Sequence, residues 1–223
     1  MSGDGSEQAI DLSDAYSVKT PQDNKALYAK WAASYESSFV DAKKYRYPRA
    51  IAELFDRVAP HDLGNLIADV GCGTGLVGLY LSALRDGVIV DGLDISPQML
   101  EQAGAKKRGD GSAVYRNLIE ADLTQEIKSA HGPYDGLISS GTFTHGHLGP
   151  DALHNLIPLV RSGGWFLIGV NAEHFAGRGF DEEFAALAKS GQICAPTFEK
   201  IHVYDVGSPH YGDQSVTARF MRL

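Results

Sequence analysis

The sequence predicts an α/β protein built on a doubly wound, largely parallel sheet, and three observations carry the prediction. From residue 66 onwards the hydrophobic period switches back and forth between strand-like runs and helical spacing. Several of the strand-like runs, GGWFLIGV among them, are continuously apolar, as strands covered on both faces must be. The last two runs, PTFEKIHVYDVG and QSVTARFMRL, are joined by SPHYGD, a link too short for a parallel crossover. The expected sheet therefore has seven strands, the last antiparallel to its neighbour.

Residues 1 to 19 are polar, Gly/Ser-bearing and aperiodic, which predicts a disordered or loosely held terminus. Next, in TPQDNKALYAKWAASYE, Thr20 can cap a helix that has Pro21 at its first position, with Leu27, Trp31 and Tyr35 one turn apart. A second helix begins near Pro48, where Ile51, Leu54, Phe55 and Val58 follow the i, i+3, i+4, i+7 pattern. The alternation then reads LIADVG as a strand, a helix from about Leu76 to Leu84, VIVDGLD as a strand, and a helix opened by Ser96 and Pro97. A strand near VYRNLI, another at YDGLISS, a helix around 151–160 and the GGWFLIGV strand continue it. DEEFAALAKSG reads as a further helix before the closing strand pair.

Composition fits one soluble domain: 43% hydrophobic and 22% charged residues in a chain of 223. The formal charge of −8 opposes the phosphate neutralisation on which non-specific nucleic-acid affinity depends, so nucleic acid is not the expected partner. Cys72 and Cys194 stand far apart and outside any CxxC pair, which indicates neither zinc nor a disulfide framework and suits a reducing cytoplasm. MSGDGSEQ lacks the basic and apolar regions of a signal peptide, and no apolar run can cross a bilayer, so no membrane partner is expected.

The stretch most informative about chemistry is DVGCGTGLVGLYL, which follows a strand and opens a helix. Strand, glycine loop, helix, strand, acid is the order that binds a nucleoside-bearing cofactor at the carboxyl end of a Rossmann-like sheet. A dinucleotide fingerprint, G-x-G-x-x-G, would need its third glycine at position 76, where Leu76 stands. Gly71, Gly73 and Gly75 can still turn tightly and let a ligand touch backbone, but the specific reason to expect a pyrophosphate is gone. Asp94 closes the second strand about 20 residues on, where a carboxylate can accept from both ribose hydroxyls.

DVGCGTG, followed at these intervals by GLDISPQML, EADL and YDGLISSGTFTH, resembles the class I S-adenosylmethionine (SAM) dependent methyltransferases over about residues 20–223. Within that family, KTPQDNKALYAKWAASYE and GTFTHGHLGPDAL are similar to the methyltransferase-like protein of the Williams-Beuren region and its bacterial relatives. The resemblance implies that Gly71, Cys72, Gly73 and Gly75 face the methionine part of SAM and that Asp94 holds its ribose. It further implies that Ile95 and Met99 pack on adenine, that Asp122 and Leu123 border the adenine edge, and that Ser139 lies beside the methionine amine. Residues 20–60 would form a helical lid carrying Trp31 and Tyr35, over a core of residues 61–223. Each assignment has a plainer counterpart: Ile95 and Met99 as core, Asp122 as the cap of the following turn, the aromatic stripe as packing.

Methyl transfer from a sulfonium needs positioning and exclusion of water more than a protein nucleophile. A base helps when the acceptor must lose a proton, and His145 in FTHGHLG, after the fourth strand, is the candidate; His147 beside it is the weaker one. No metal site is expected, because H-x-H alone lacks ligands. SSGTFT replaces the Asn/Asp-Pro-Pro-Tyr/Phe signature of enzymes that methylate base amines, which favours a small-molecule acceptor, or a protein side chain, over nucleic acid. The expected reaction yields S-adenosylhomocysteine (SAH). Two other readings share these features: a SAM-binding regulatory module without turnover, and an NAD(P)-dependent oxidoreductase, against which the glycine register argues.

Overall fold

The computed structural model describes residues 18, 20–128 and 131–223, so the loosely held terminus expected over 1–19 lies, Val18 apart, outside the described residues. Seven strands form one sheet: β1 (Leu66–Val70), β2 (Ile89–Asp94), β3 (Tyr115–Glu120), β4 (Tyr134–Phe143), β5 (Val160–Asn171), β6 (Thr197–His202) and β7 (Gln214–Met221). Their spatial order is β3-β2-β1-β4-β5-β7-β6. Pairs among β1 to β5 are parallel, whereas β7 inserts between β5 and β6 and runs antiparallel to both. The expected doubly wound sheet with an antiparallel last strand is therefore present.

Both faces are covered, which explains the continuous apolar strands. Along β5, Phe166 and Ile168 join one cluster with Phe180, Phe184 and Leu153, while Leu167 between them joins the other with Ile51 and Phe55. The second cluster belongs to α2 (Tyr47–Val58) and α3 (Leu76–Leu84). The first faces α5 (Leu153–Leu156), α6 (Ala172–Gly177) and α7 (Phe180–Lys189).

Helix α1 (Pro21–Trp31) starts as its sequence says, with a capping box in which Thr20 Oγ1 accepts from Asp23 N and the Asp23 carboxylate accepts from Thr20 N. It stops at Trp31, and a π-helical turn, Glu36–Asp41, follows. The stripe does not run on regularly because Trp31 Nε1 donates to Ser38 Oγ (3.1 Å), and Ser37 Oγ donates to the Ser34 carbonyl (3.1 Å), drawing the aromatic residues into a cluster.

The helix expected around 151–160 is a single α-helical turn, α5, flanked by 3₁₀ turns at Pro150–Ala152 and Ile157–Leu159. Pro158 has no N–H to continue it. Helix α4 (Pro97–Gly104) is capped by Ser96, whose Oγ accepts from Met99 N (3.3 Å). These connections leave the carboxyl ends of β1, β2 and β4 facing α1.

Candidate functional site

Strand β1 ends at Val70, and the glycine loop turns there in the left-handed region, with φ of 66° at Gly71 and 53° at Gly73. The two glycines are needed for different reasons. A Cβ on Gly71 would fall 1.9 Å from Thr142 Oγ1, so Gly71 exists to let the ends of β1 and β4 approach. A Cβ on Gly73 would meet nothing within 4 Å; that position borders open space. The third glycine, Gly75, packs down on the Tyr115 ring and Ala103. Backbone N–H groups of Gly71 and Cys72 donate to the Leu93 carbonyl (2.7 and 3.1 Å), which ties the loop to β2.

The open space is a cavity of about 320 Å³ at the carboxyl end of the sheet. Asp94, at the end of β2, borders it; its Oδ2 accepts from Gly73 N and its Oδ1 from Ser96 N, both at 2.9 Å. A carboxylate offers about four lone-pair sites, so capacity remains. Burial pushes the Asp94 carboxyl above its usual range, opposed by these N–H groups. Ile95, Met99 and Leu123 supply apolar wall. Asp122 borders the cavity and also caps its own turn, Oδ1 accepting from Thr124 N (2.9 Å) and Oγ1 (2.7 Å). Capping the turn and bordering the cavity are therefore compatible for this one side chain.

Three further lining residues carry buried polar atoms that no group among the described residues satisfies: Asn24 Oδ1, Thr74 Oγ1 and Ser140 Oγ. Leaving such an atom unpaired costs ~1–3 kcal/mol, so their convergence on one cavity is the mark of a polar ligand. Among the described residues, no Lys or Arg lines the cavity to meet a phosphate. Sequence reasoning missed all three. Thr74 sits inside the glycine loop and Ser140 beside the expected Ser139, so adjacency was the only signal.

Of the expected cofactor residues, Tyr35, Gly71, Cys72, Gly73, Asp94, Ile95, Met99, Asp122 and Leu123 line this cavity together. Three do not. Ser139 is fully buried and its hydroxyl donates to the Val70 carbonyl (2.8 Å), which holds β4 to β1; Ser140 and Gly141 face the cavity in its place. Trp31 is 2% exposed, within the aromatic cluster under α1. Gly75 lies beneath the loop. Cys72 lines the wall with its thiol pushed up by burial, an unreactive state.

The expected base, His145, also lies off the cavity lining; its ring packs on His174, centroids 5.3 Å apart. His147 lines the cavity instead, because the turn places its N–H on the Thr144 carbonyl (3.0 Å) and its ring toward α1. His147 Nδ1 lies 2.9 Å from the His145 carbonyl and Nε2 3.1 Å from Tyr28 Oη. A carbonyl only accepts, so Nδ1 carries the hydrogen, and Nε2 of the neutral ring accepts from the phenol. Burial lowers the His147 pKa and so favours this neutral form.

Under the floor lies an acid that the sequence did not single out as buried. Asp69 is fully buried; its Oδ2 accepts from Tyr115 Oη (2.6 Å), and Tyr115 Oη accepts from Gly78 N (3.2 Å). Gly78 is obligatory there, since its Cβ would fall 2.4 Å from that phenol oxygen. Among the described residues, no cluster of three His, Cys, Asp or Glu side chains could hold a metal, and no helix is long and apolar enough to cross a membrane.

Comparison with known proteins bears on the fold and the domain. Residues 67–164 match the family model described as a methyltransferase domain. The chain is 34% identical over 133 residues to methyltransferase-like protein 27 of Homo sapiens, covering 58% of this chain and 51% of that one. It is 40% identical over 81 residues to the 18S rRNA (guanine-N(7))-methyltransferase of Bos taurus, covering 36% of this chain and 26% of that one. The chain thus spans about half, or less, of the curated relatives it matches. Among solved structures, magnesium protoporphyrin IX methyltransferase from Synechocystis PCC 6803, with bound SAM, superposes with a TM-score of 0.63 at 18% identity, over 97% of this chain and 99% of that one. That likeness is one of fold.

Proposed function

We propose that this chain, which carries a methyltransferase domain on the class I SAM-dependent fold, transfers a methyl group from SAM to a small-molecule acceptor and releases SAH. The observation that carries the reading is the convergence of Asp94 with the unpartnered atoms of Asn24, Thr74 and Ser140 on one cavity with apolar walls and, among the described residues, no Lys or Arg. A nucleoside with an amino-acid tail and no phosphate matches that set.

Each residue then has a role drawn from its place. The Asp94 carboxylate accepts from the ribose hydroxyls, and Ile95, Met99 and Leu123 enclose the adenine, with Asp122 at its edge. Gly73, lacking a Cβ, lets backbone touch the amino-acid portion, near the hydroxyls of Thr74 and Ser140. Bound SAM supplies the electrophilic methyl; the chain orients it and excludes water. Of the segment 20–60 set over a core of 61–223, residues 20–41 act as the lid, fastened by the Lys25–Glu120 ion pair and by Lys106 to Glu36 (2.6 Å), whereas α2 packs into the core.

The acidic balance of the chain supports a small acceptor, with a protein side chain second. It does not exclude nucleic acid, because a relative matching 81 residues is an rRNA methyltransferase by name. The similarity of the N-terminal segment to the Williams-Beuren methyltransferase-like group favours the same domain plan. Both cysteines are free, as a cytoplasmic protein would keep them.

The test has two steps. In a thermal-shift panel of SAM, SAH, NAD and NADP, only the first two should raise the melting temperature; stabilisation by NAD or NADP alone would support an oxidoreductase. Incubation with methyl-labelled SAM and cell extract should then label an acceptor and accumulate SAH over many turnovers. Tight SAM binding with no turnover would leave a regulatory module.

A further inference from the structure

Helix α1 borders two spaces: the cavity described above and a smaller chamber of about 70 Å³ that shares Tyr28, Tyr35 and His147 with it. Asn24 lines only the larger of the two, beside Thr20 and Pro21. It is 8% exposed. Its backbone N–H donates to the Thr20 carbonyl (3.1 Å), and the capping box at this helix end is made by Thr20 and Asp23. The Asn24 side chain is therefore not needed to build the helix start.

Half of its amide is engaged elsewhere. Asn24 Nδ2 donates to the Gly146 carbonyl (3.4 Å) in the loop after β4. A carbonyl only accepts, so this contact sets which way the amide lies, with its nitrogen on the core loop and its oxygen turned from it. The meeting point depends on close approach: Gly146 has a φ of 75°, and a Cβ there would fall 2.3 Å from the Val18 carbonyl oxygen. Asn24 Oδ1 is buried and accepts from no group among the described residues. What α1 offers the cavity here is an acceptor with no donor facing it.

A buried acceptor discriminates by the sign of what it meets. It gains from an N–H or O–H placed against it, and it repels a carbonyl or carboxylate oxygen, since two acceptors then face each other with no proton between them. Of the donors on a nucleoside with an amino-acid tail, the ribose hydroxyls belong to Asp94 in the reading above. The two that remain are both on nitrogen: the α-ammonium of the tail and the 6-amino group of adenine.

We propose, resting on the methyltransferase reading above, that Asn24 is a specificity-determining residue whose Oδ1 accepts from one of these N–H donors, and that this bond couples the donor to closure of residues 20–41. Nδ2 holds the core loop while Oδ1 holds the ligand, so one side chain bridges loop, lid and cofactor. A ligand without the donor fills the cavity but leaves Oδ1 unpaired, and the lid closes less firmly over it. A ligand that places an oxygen there meets repulsion as well.

The experiment uses the full chain and three ligands: SAH, its deamino analogue, which lacks only the α-ammonium, and S-inosylhomocysteine, in which a carbonyl replaces the 6-amino group. Calorimetry compares the parent with Asn24→Leu, whose branched tip has the shape of the amide without its polar atoms. Asn24→Leu should weaken SAH at least tenfold. One analogue should bind the parent at least tenfold more weakly than SAH and lose less than threefold more in Asn24→Leu, because the bond is already missing; that analogue identifies the donor. The other should follow SAH. On the parent alone, the identifying analogue at saturation should protect residues 20–41 from hydrogen exchange less than saturating SAH does. Equal losses for all three ligands in Asn24→Leu would make Asn24 a prop for the lid and overturn the proposal, as would SAH affinity unmoved by the substitution. Equal protection of residues 20–41 by all three would overturn the coupling. Failure of SAH to bind the parent would instead overturn the methyltransferase reading itself.

Discussion

Tyr28, on the first helix, and His147, in the loop after β4, meet oxygen to nitrogen at 3.1 Å across the mouth of the larger cavity. They are joined there by Asn24 Nδ2, which donates to the Gly146 carbonyl (3.4 Å). Residues 20–41, the part of the proposed lid before the Tyr45–Tyr204 bridge, are held to the core by a few polar contacts and an aromatic cluster, whereas α2 after that bridge packs in the core. Contacts of that kind open far more readily than a sheet. Filling the cavity gives Asn24 Oδ1 a partner and adds ligand contacts to Tyr35, so saturating SAM should slow amide hydrogen exchange over residues 20–45. Exchange in that span unchanged by SAM would remove the lid from the account.

The Asp94 carboxylate does two things, and they separate experimentally. It holds the loop through Gly73 N and Ser96 N, and it faces the cavity. Hydrogen bonds to a charged acceptor contribute ~1.5–3 kcal/mol each. Asp94→Ala should weaken SAM at least tenfold in calorimetry. Affinity that stays put would move the ribose elsewhere.

The glycine loop, the acid after β2 and the α/β alternation were legible because each follows from local sequence: strands need apolar runs, and tight turns need glycine. The limits of α3 matched at Leu76 and Leu84, where pattern and loop agree. What stayed hidden is set by distance in the chain. The burial of Asp69 is fixed by Tyr115, 46 residues on, and the orientation of His147 by Tyr28, 119 residues back. Ser139 and Ser140 read alike in sequence, yet strand alternation turns one hydroxyl to Val70 and the other to the cavity. The order of β6 and β7 was equally out of reach, since antiparallel pairing does not say which strand is inner.

Asp69 should leave its own trace in the pH dependence of stability. Burial raises its pKa from 3.8 to about 7. A folded pKa above the unfolded one means that the folded state holds the proton more tightly. Below the unfolded value both states are protonated and nothing is lost; between about 4 and 7 the unfolded state ionises first, and stability falls by on the order of a few kcal/mol. Above about 7 the loss is complete. Asp69→Asn removes this titration, so the difference in unfolding free energy between variant and parent, measured in urea at pH 4.5 and pH 7.5, should shift in favour of the variant at the higher pH. The same difference at both values would show that Asp69 ionises normally in the fold.

Two glycines in one loop, given the same substitution, should fail in opposite ways. Both sit at positive φ, which costs an alanine ~1–2 kcal/mol. At Gly71 the new Cβ also meets Thr142 Oγ1 at 1.9 Å and its Cβ at 2.7 Å, so the ends of β1 and β4 must part. Gly71→Ala should therefore lower stability by at least ~2 kcal/mol. In a chain of this size that corresponds to roughly 4–8 °C in melting temperature. At Gly73 the new Cβ meets no protein atom within 4 Å, so Gly73→Ala loses only the backbone term and melts within a few degrees of the parent. Its methyl group stands in the cavity at the point where the proposed cofactor touches the main chain, and SAM affinity should fall at least tenfold. Scanning calorimetry and titration on the two variants give four numbers. If Gly73→Ala binds SAM as the parent does, the space above that glycine is not where the cofactor lies.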